Sequence, residues 1–208
     1  MATHFGSPRA LVHGLRPRRA FALMVGVCLA SSAFAEELPT TLRASMLVRV
    51  LAYDRRMGQQ PPPLTLAVIH REGDVSSEDQ GRELSGALET VSRGRVIAGR
   101  PLRVVRIGFT DTLQFQEKLS QERAVALYVC DGLEGDSERI AQVTRRLSVL
   151  SIAGSEAQVN HGLAIGLSRK GNSPVILVHL SAARAEGADL DAGLLSLSRL
   201  VEPEKEVH

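Results

Sequence analysis

Leu64-Thr65-Leu66-Ala67-Val68-Ile69 is an almost continuously apolar run of six residues, placed directly after Pro61-Pro62-Pro63. A run this short suits a strand covered on both faces, because a strand with one wet face alternates apolar and polar residues. The same signature returns at Leu102 to Ile107, at Ala124 to Val129 and at Val149 to Ile152. Between these runs the apolar spacing changes from strand to helix. Leu84, Ala87, Leu88 and Val91 make an i, i+3, i+4, i+7 stripe, and Ser77 followed by Gln80 fits a capping box opening that helix. Asp111 is placed to cap a short helix carrying Leu113, Phe115 and Leu119, and a further helix begins near Ser137 with Ile140, Val143, Thr144 and Leu147 on one face.

Upstream, Leu42, Met46, Val50 and Tyr53 recur at helical spacing, predicting an amphipathic helix from about Thr40 to Met57 that Gly58 and the prolines end. Downstream, Leu163, Ile165 and Leu167 alternate with smaller or polar residues, and the turn-rich Arg169 to Ser173 leads to a second run, Val175 to Leu180. That pattern predicts an antiparallel hairpin. Asp189 would then cap a last helix with Leu190, Leu194, Leu197 and Val201 on its buried face. Four alternations of strand and helix, with connections long enough for crossovers, predict an α/β fold: a three-layer, Rossmann-like sandwich with a mainly parallel sheet and an antiparallel hairpin near the C-terminus.

The first 35 residues read differently. A basic stretch ending in Arg16, Arg18 and Arg19 precedes an apolar run from Ala20 to Ala30, and Ala33 and Ala35 stand where a signal peptidase reads. The run of about 11 residues is too short to span a bilayer, which takes roughly 20. The expected organisation is a cleaved signal peptide over 1–35 and one domain over 36–208, with export to the periplasm and no direct membrane insertion after cleavage. Whether the general or the twin-arginine route is used stays open.

The leader holds four of the 25 Lys and Arg residues and no acid, so the remaining chain has 21 bases against 23 acids, a net charge of −2. With no tryptophan and only seven Tyr and Phe in the whole chain, neither a basic patch nor stacking platforms for nucleic acid are expected. Removal of Cys28 with the leader leaves Cys130, so no intramolecular disulfide is expected.

Fingerprints of common catalysts are missing: the sequence has no G-x-G-x-x-G after the first strand, P-loop, C-x-x-C, H-E-x-x-H or G-x-S-x-G. His70, His161, His179 and His208 are scattered and stand at ligand spacing neither from one another nor from Cys130, so no metal, catalytic residue or cofactor is assigned. Cys130 ends an apolar strand and is read as a core residue. In a parallel sheet, ligands sit beyond the carboxyl ends of the strands. The candidates there are His70, Thr110, Asp111, Asp131 and Ser155. A second set consists of charges beside apolar neighbours: Arg49, Asp54, Arg55 and Arg56 on the first helix, and Arg184 and Glu186 before the last one.

Several strings resemble the YfiR family of exported proteins of Gram-negative bacteria. They are Val50-Leu51-Ala52-Tyr53-Asp54-Arg55, Ala126-Leu127-Tyr128-Val129, Leu150-Ser151-Ile152, the hairpin at Gly162, Val178-His179-Leu180-Ser181-Ala182-Ala183-Arg184, and Leu194-Leu195-Ser196-Leu197-Ser198. The resemblance runs from about Leu42 to Val201. It implies a non-catalytic periplasmic regulator that binds and represses the periplasmic part of an inner-membrane signalling protein, a diguanylate cyclase, and so affects cyclic-di-GMP and biofilm formation. The six charges above are the expected partner-binding candidates, and a homodimer is left open. The family usually has asparagine where His179 stands, and its relatives carry disulfides that Cys130 alone cannot form. The alternative is a periplasmic small-ligand-binding protein of a transport or sensing system, because the fold also resembles one lobe of such proteins.

Overall fold

Helix α1 (Thr40–Tyr53) opens the part of the chain described by the computed structural model, residues 38–201. The expected signal peptide, its Cys28 and the start at Glu36 lie outside the described residues. The helix is shorter than its apolar stripe suggests. Asp54 takes an extended conformation and a 3₁₀ turn (Arg55–Gln59) follows, in which Met57 is buried. The Asp54 carboxylate stops the helix by accepting from the Arg56 amide, an interaction that competes with continued helix.

Strand β1 (Leu64–Arg71) is the run on which the reading began. It leads through α2 (Val75–Ser92) to a two-residue strand β2 (Val96–Ile97) and to β3 (Arg100–Phe109). Next come α3 (Thr112–Glu122), β4 (Ala124–Val129), α4 (Ser137–Leu147), β5 (Leu150–Ala153) and the short α5 (Glu156–Asn160). The expected hairpin is β6 (Ile165–Lys170) with β7 (Ser173–Val178), followed by α6 (Leu180–Ala185), α7 (Ala192–Ser196) and β8 (Ser198–Leu200).

The eight strands form one sheet in the order β2-β3-β1-β4-β5-β6-β7-β8. From β3 to β6 all neighbours are parallel, whereas β2 with β3 and β6 with β7 are antiparallel. Alternate residues of the continuous apolar runs supply two cores. Leu66 and Val68 of β1 face α1 and α2, with Leu47, Leu51, Leu84 and Leu88, whereas Ala67 and Ile69 face α3 and α4, with Phe115, Leu119, Ile140 and Val143. Each fully buried Leu, Ile or Phe stabilises such a layer by about 2 kcal/mol, which is why both faces need apolar residues. The fold is the three-layer α/β sandwich expected.

Three local expectations are corrected. Ser77 lies inside α2, and the cap is Asp74, whose carboxylate accepts from the Ser77 amide at 3.1 Å. Asp189 caps no helix: Asp191 accepts from the Gly193 amide and starts α7, which ends after five residues. The chain then extends as β8, pairing parallel with β7, so Leu197 is 64% exposed and Val201 is not on a helix face. The hairpin closing β2 onto β3 turns at Ala98 and Gly99, both at positive φ, the conformation a two-residue turn of this hand requires.

Candidate functional site

The order β3-β1-β4-β5-β6 reverses direction of growth between β1 and β4, and at such a switch two strand ends part and leave a crevice. All five ligand candidates lie along that edge, His70 on β1, Thr110 and Asp111 after β3, Asp131 after β4 and Ser155 after β5. The fold gives most of them local work. Asp111 caps α3, accepting from the amides of Leu113 (2.9 Å) and Gln114 (3.0 Å). Ser155 caps α5 through the Gln158 amide at 3.4 Å. His70 packs against Gly81 of α2, where a Cβ would stand 3.4 Å from its own, and burial pushes its pKa below the usual histidine value.

Asp131 is the candidate that reaches the crevice. There Thr40 and Arg43 of α1, Asp74, Ser77, Gln80 and Glu83 of α2, and Gly132 surround a cleft of about 450 Å³. Its floor is a latch: Gln80 Nε2 donates to Asp131 Oδ2 at 2.5 Å, the Asp131 amide donates to Gln80 Oε1 at 2.8 Å, and Ser77 Oγ donates to the Asp131 carbonyl at 2.8 Å. Arg43 is buried with its guanidinium 6.0 Å from the centre of the Tyr128 ring. Ser77 and Gln80 stood out in the sequence as a capping pair; their long-range partner 51 residues away gave no local signal.

The partner candidates divide. Arg49 and Arg184 are exposed, as a docking surface requires. Asp54, Arg56 and Glu186 turn inward and meet in a clasp between the end of α1 and the 186–191 segment. Asp54 is 1% exposed, and its carboxylate accepts from the amides of Arg56 (3.0 Å) and Asp189 (3.1 Å). Arg56 Nη1 donates to the carbonyls of Ser148 (2.7 Å) and Glu186 (2.8 Å), offsetting the negative end of α4. Arg55, on the outside, donates to Asp191 at 2.7 Å, and its own pKa is raised chiefly by that hydrogen bond. Glu186 is fully buried: its Oε1 accepts from Thr144 Oγ1 (2.5 Å) and Ser151 Oγ (2.6 Å), and its Oε2 from the Ser151 amide (2.7 Å). Desolvation outweighs these bonds and raises its pKa to about 7. The expectation that Asp54 and Glu186 present a surface is corrected by their burial, and the half-buried Arg56 spends its guanidinium on the Ser148 and Glu186 carbonyls.

Cys130 is wholly buried and its thiol is pushed up to about 12, by burial first and by Asp131 second. A thiol so held is not a nucleophile near neutral pH.

The clasp orients a feature that the sequence did not disclose. Leu42, Met46, Arg49 and Tyr53 of α1 face Pro174 and Ile176 of β7 and Leu194 and Leu197 of α7 across a mainly apolar groove of about 270 Å³. Leu42 and Leu197 are 38% and 64% exposed at its rim, and Arg49 is the one charged residue among those lining it. The helical stripe in the sequence puts Leu197 on a buried face, whereas the structure leaves it exposed at the groove.

Comparison with solved structures finds the same fold at low identity. A ligand-free, open substrate-binding protein with adhesive properties from Clostridium difficile matches with a TM-score of 0.56 and 14% identity, over 81% of this chain and 61% of that one. A conserved domain protein from Vibrio cholerae gives 0.55 and 9%, over 78% and 60%. The ABC domain in complex with L-Trp from Streptococcus pneumonia gives 0.55 and 10%, over 76% and 61%. The chain thus spans about three fifths of the length of these structures. A comparison with curated proteins returns no match. The family comparison matches residues 40–199, nearly all that the structure describes, and the chain belongs to the YfiR/HmsC-like family.

Proposed function

We propose that this chain is a non-catalytic periplasmic regulator that docks on the periplasmic part of an inner-membrane signalling protein, a diguanylate cyclase, and holds it inactive. Family membership over residues 40–199 supports the regulatory reading. The observation that carries the docking surface is the groove between α1, β7 and α7, where an apolar floor offers area and Arg49 offers orientation. Arg184, exposed at the end of α6, is a further contact. Export by cleavage after Ala35 places the domain 36–208 in the periplasm, and among the described residues no helix is long and apolar enough to cross a membrane.

The test is co-purification of the exported protein with the full-length cyclase, with cellular cyclic-di-GMP measured in parallel. Leu42→Glu and Arg49→Glu, both at exposed positions, should each weaken capture and raise cyclic-di-GMP at unchanged melting temperature. Undiminished capture by both variants would refute the groove. The intact mass of the exported protein should correspond to a chain starting at Glu36, and a mass retaining the apolar run would refute cleavage.

The cleft at the β1/β4 switch favours a second reading, small-ligand binding. A concentration-dependent rise in melting temperature with a small molecule, abolished by Asp131→Ala, would support it.

A further inference from the structure

The edge of the sheet opposite to β8 carries a different feature. β2 pairs with β3 only at Pro101 and Arg100, and among the described residues nothing continues that pairing along the rest of β3. The carbonyl of Phe109 accepts from Glu72, beyond the end of β1, so Phe109 and its alternates Ile107, Val105 and Arg103 turn their peptide groups toward β1. Leu102, Val104, Arg106 and Gly108 therefore direct theirs outward. The pairing of Arg100 with Ile97 on the outer side fixes the same phase. Pro101 has no amide hydrogen, so its pairing with Val96 runs through the flanking residues and engages Leu102. Val104, Arg106 and Gly108 remain as a row of outward donors and acceptors, the template on which another strand pairs.

Charge selects what can use it. Arg93, Arg95 and Arg106 are exposed around this edge and Arg100 is half-buried beside it. None of the four is in an ion pair with a described residue, whereas Arg103 is neutralised by Glu122 at 2.8 Å. Glu89, beside Arg93 and Arg95, and Glu72, whose side chain lies over Gly108, are the acids nearby. The edge is thus locally basic. Pairing of two β3 edges would gather eight of these arginines along one seam, which disfavours a second copy of the chain. We propose that the free edge of β3, Val104–Gly108, is a second docking surface that takes an extended acidic segment of a partner as an added strand, with backbone pairing giving affinity and the arginines selecting charge. It lies across the sheet from the α1/β7/α7 groove and stands independently of it.

The experiment uses the exported protein and two labelled eight-residue probes, one alternating Glu with Val and one alternating Lys with Val. Binding is followed by anisotropy and by amide hydrogen exchange. The acidic probe should bind saturably and more weakly as salt rises, with new protection at Val104, Arg106 and Gly108 and none at Val105 or Ile107. Arg95→Glu combined with Arg106→Glu, both at exposed positions, should reduce affinity by about tenfold or more with an unchanged melting temperature. Equal binding of the two probes, protection without the alternation, or full affinity in the double variant would each overturn the proposal. Absence of any binding by the acidic probe would overturn it as well.

Discussion

Replacement of Glu186 by Gln isolates a pH dependence that the fold builds into its core. The carboxyl is fully buried and its pKa is about 7, against an ordinary 4.5. Because the folded value is the higher one, the folded protein binds this proton more tightly than the unfolded chain does. Its contribution to stability is complete below about pH 4.5 and is lost as pH rises through 7. The rise from 4.5 to about 7 corresponds to about 3 kcal/mol, most of it lost between roughly pH 5 and pH 8. The surroundings accommodate the neutral acid. Thr144 Oγ1 has an alternative acceptor in the Ala141 carbonyl at 3.0 Å, so its hydroxyl can turn there and accept from a protonated Oε1, while Oε2 continues to accept from the Ser151 amide. Glutamine copies that neutral arrangement. Urea unfolding at a series of pH values should show wild-type stability falling by about 2 to 3 kcal/mol from pH 5 to pH 8 relative to Glu186→Gln, with the two proteins similar at pH 5. His70 and His179, whose pKa values burial lowers, give the opposite slope below about pH 6.5, but both proteins share it and the difference cancels it. Parallel stability curves for the two proteins would refute the reasoning.

Cys130→Ser places a hydroxyl in an apolar, fully buried position and should cost about 1 to 3 kcal/mol in urea unfolding, while a thiol reagent should label the native wild type more slowly than free cysteine. Arg56→Ala removes the donors to the carbonyls of Ser148 and Glu186 and leaves the buried Asp54 carboxylate poorly compensated, so a loss of about 3 kcal/mol is expected, against little change for Arg184→Ala in the same assay. Asp111→Ala removes both cap bonds of α3 and should cost about 1 kcal/mol, read as a lower melting temperature.

The parallel half of the fold was legible because two-sided burial leaves a local mark: Leu64 to Ile69 and Ala124 to Val129 have no polar face to hide. The last 20 described residues were not legible in that way. Leu190, Leu194 and Leu197 fit a helical stripe, but Ser198-Arg199-Leu200 instead gains a backbone ladder with Ile176 to Val178, and pairing with a distant strand overrides the local period. Topology directs attention to the carboxyl edge of the sheet, where Asp131 lines the cleft, whereas Gln80 reads only as a capping residue because its partner Asp131 is 51 residues away. The partner candidates Asp54, Arg56 and Glu186 were selected as charges near apolar residues. That pattern does not distinguish a surface from a clasp when the groups that bury it come from 35 to 135 residues away.

Helix α1 enters all three arrangements. Thr40 and Arg43 at its start line the switch cleft, Leu42, Met46 and Arg49 line the groove, and Tyr53 and Asp54 at its end join the clasp, where the Asp191 amide donates to the Tyr53 carbonyl at 2.9 Å. Fourteen residues of helix extend only about 21 Å, short enough to move as one body. A substitution on α1 can therefore weaken partner capture by altering the groove directly or by tilting the helix from either end. Substitutions on the opposite wall separate these causes. Ile176 and Leu197 belong to β7 and to the turn into β8, share no contact with the cleft, and flank the groove alone. If Leu197→Glu, at a position 64% exposed, lowers capture as Leu42→Glu does while α1 amides keep their exchange protection, the groove itself is the contact. If only α1 variants act, the helix position is what the partner senses.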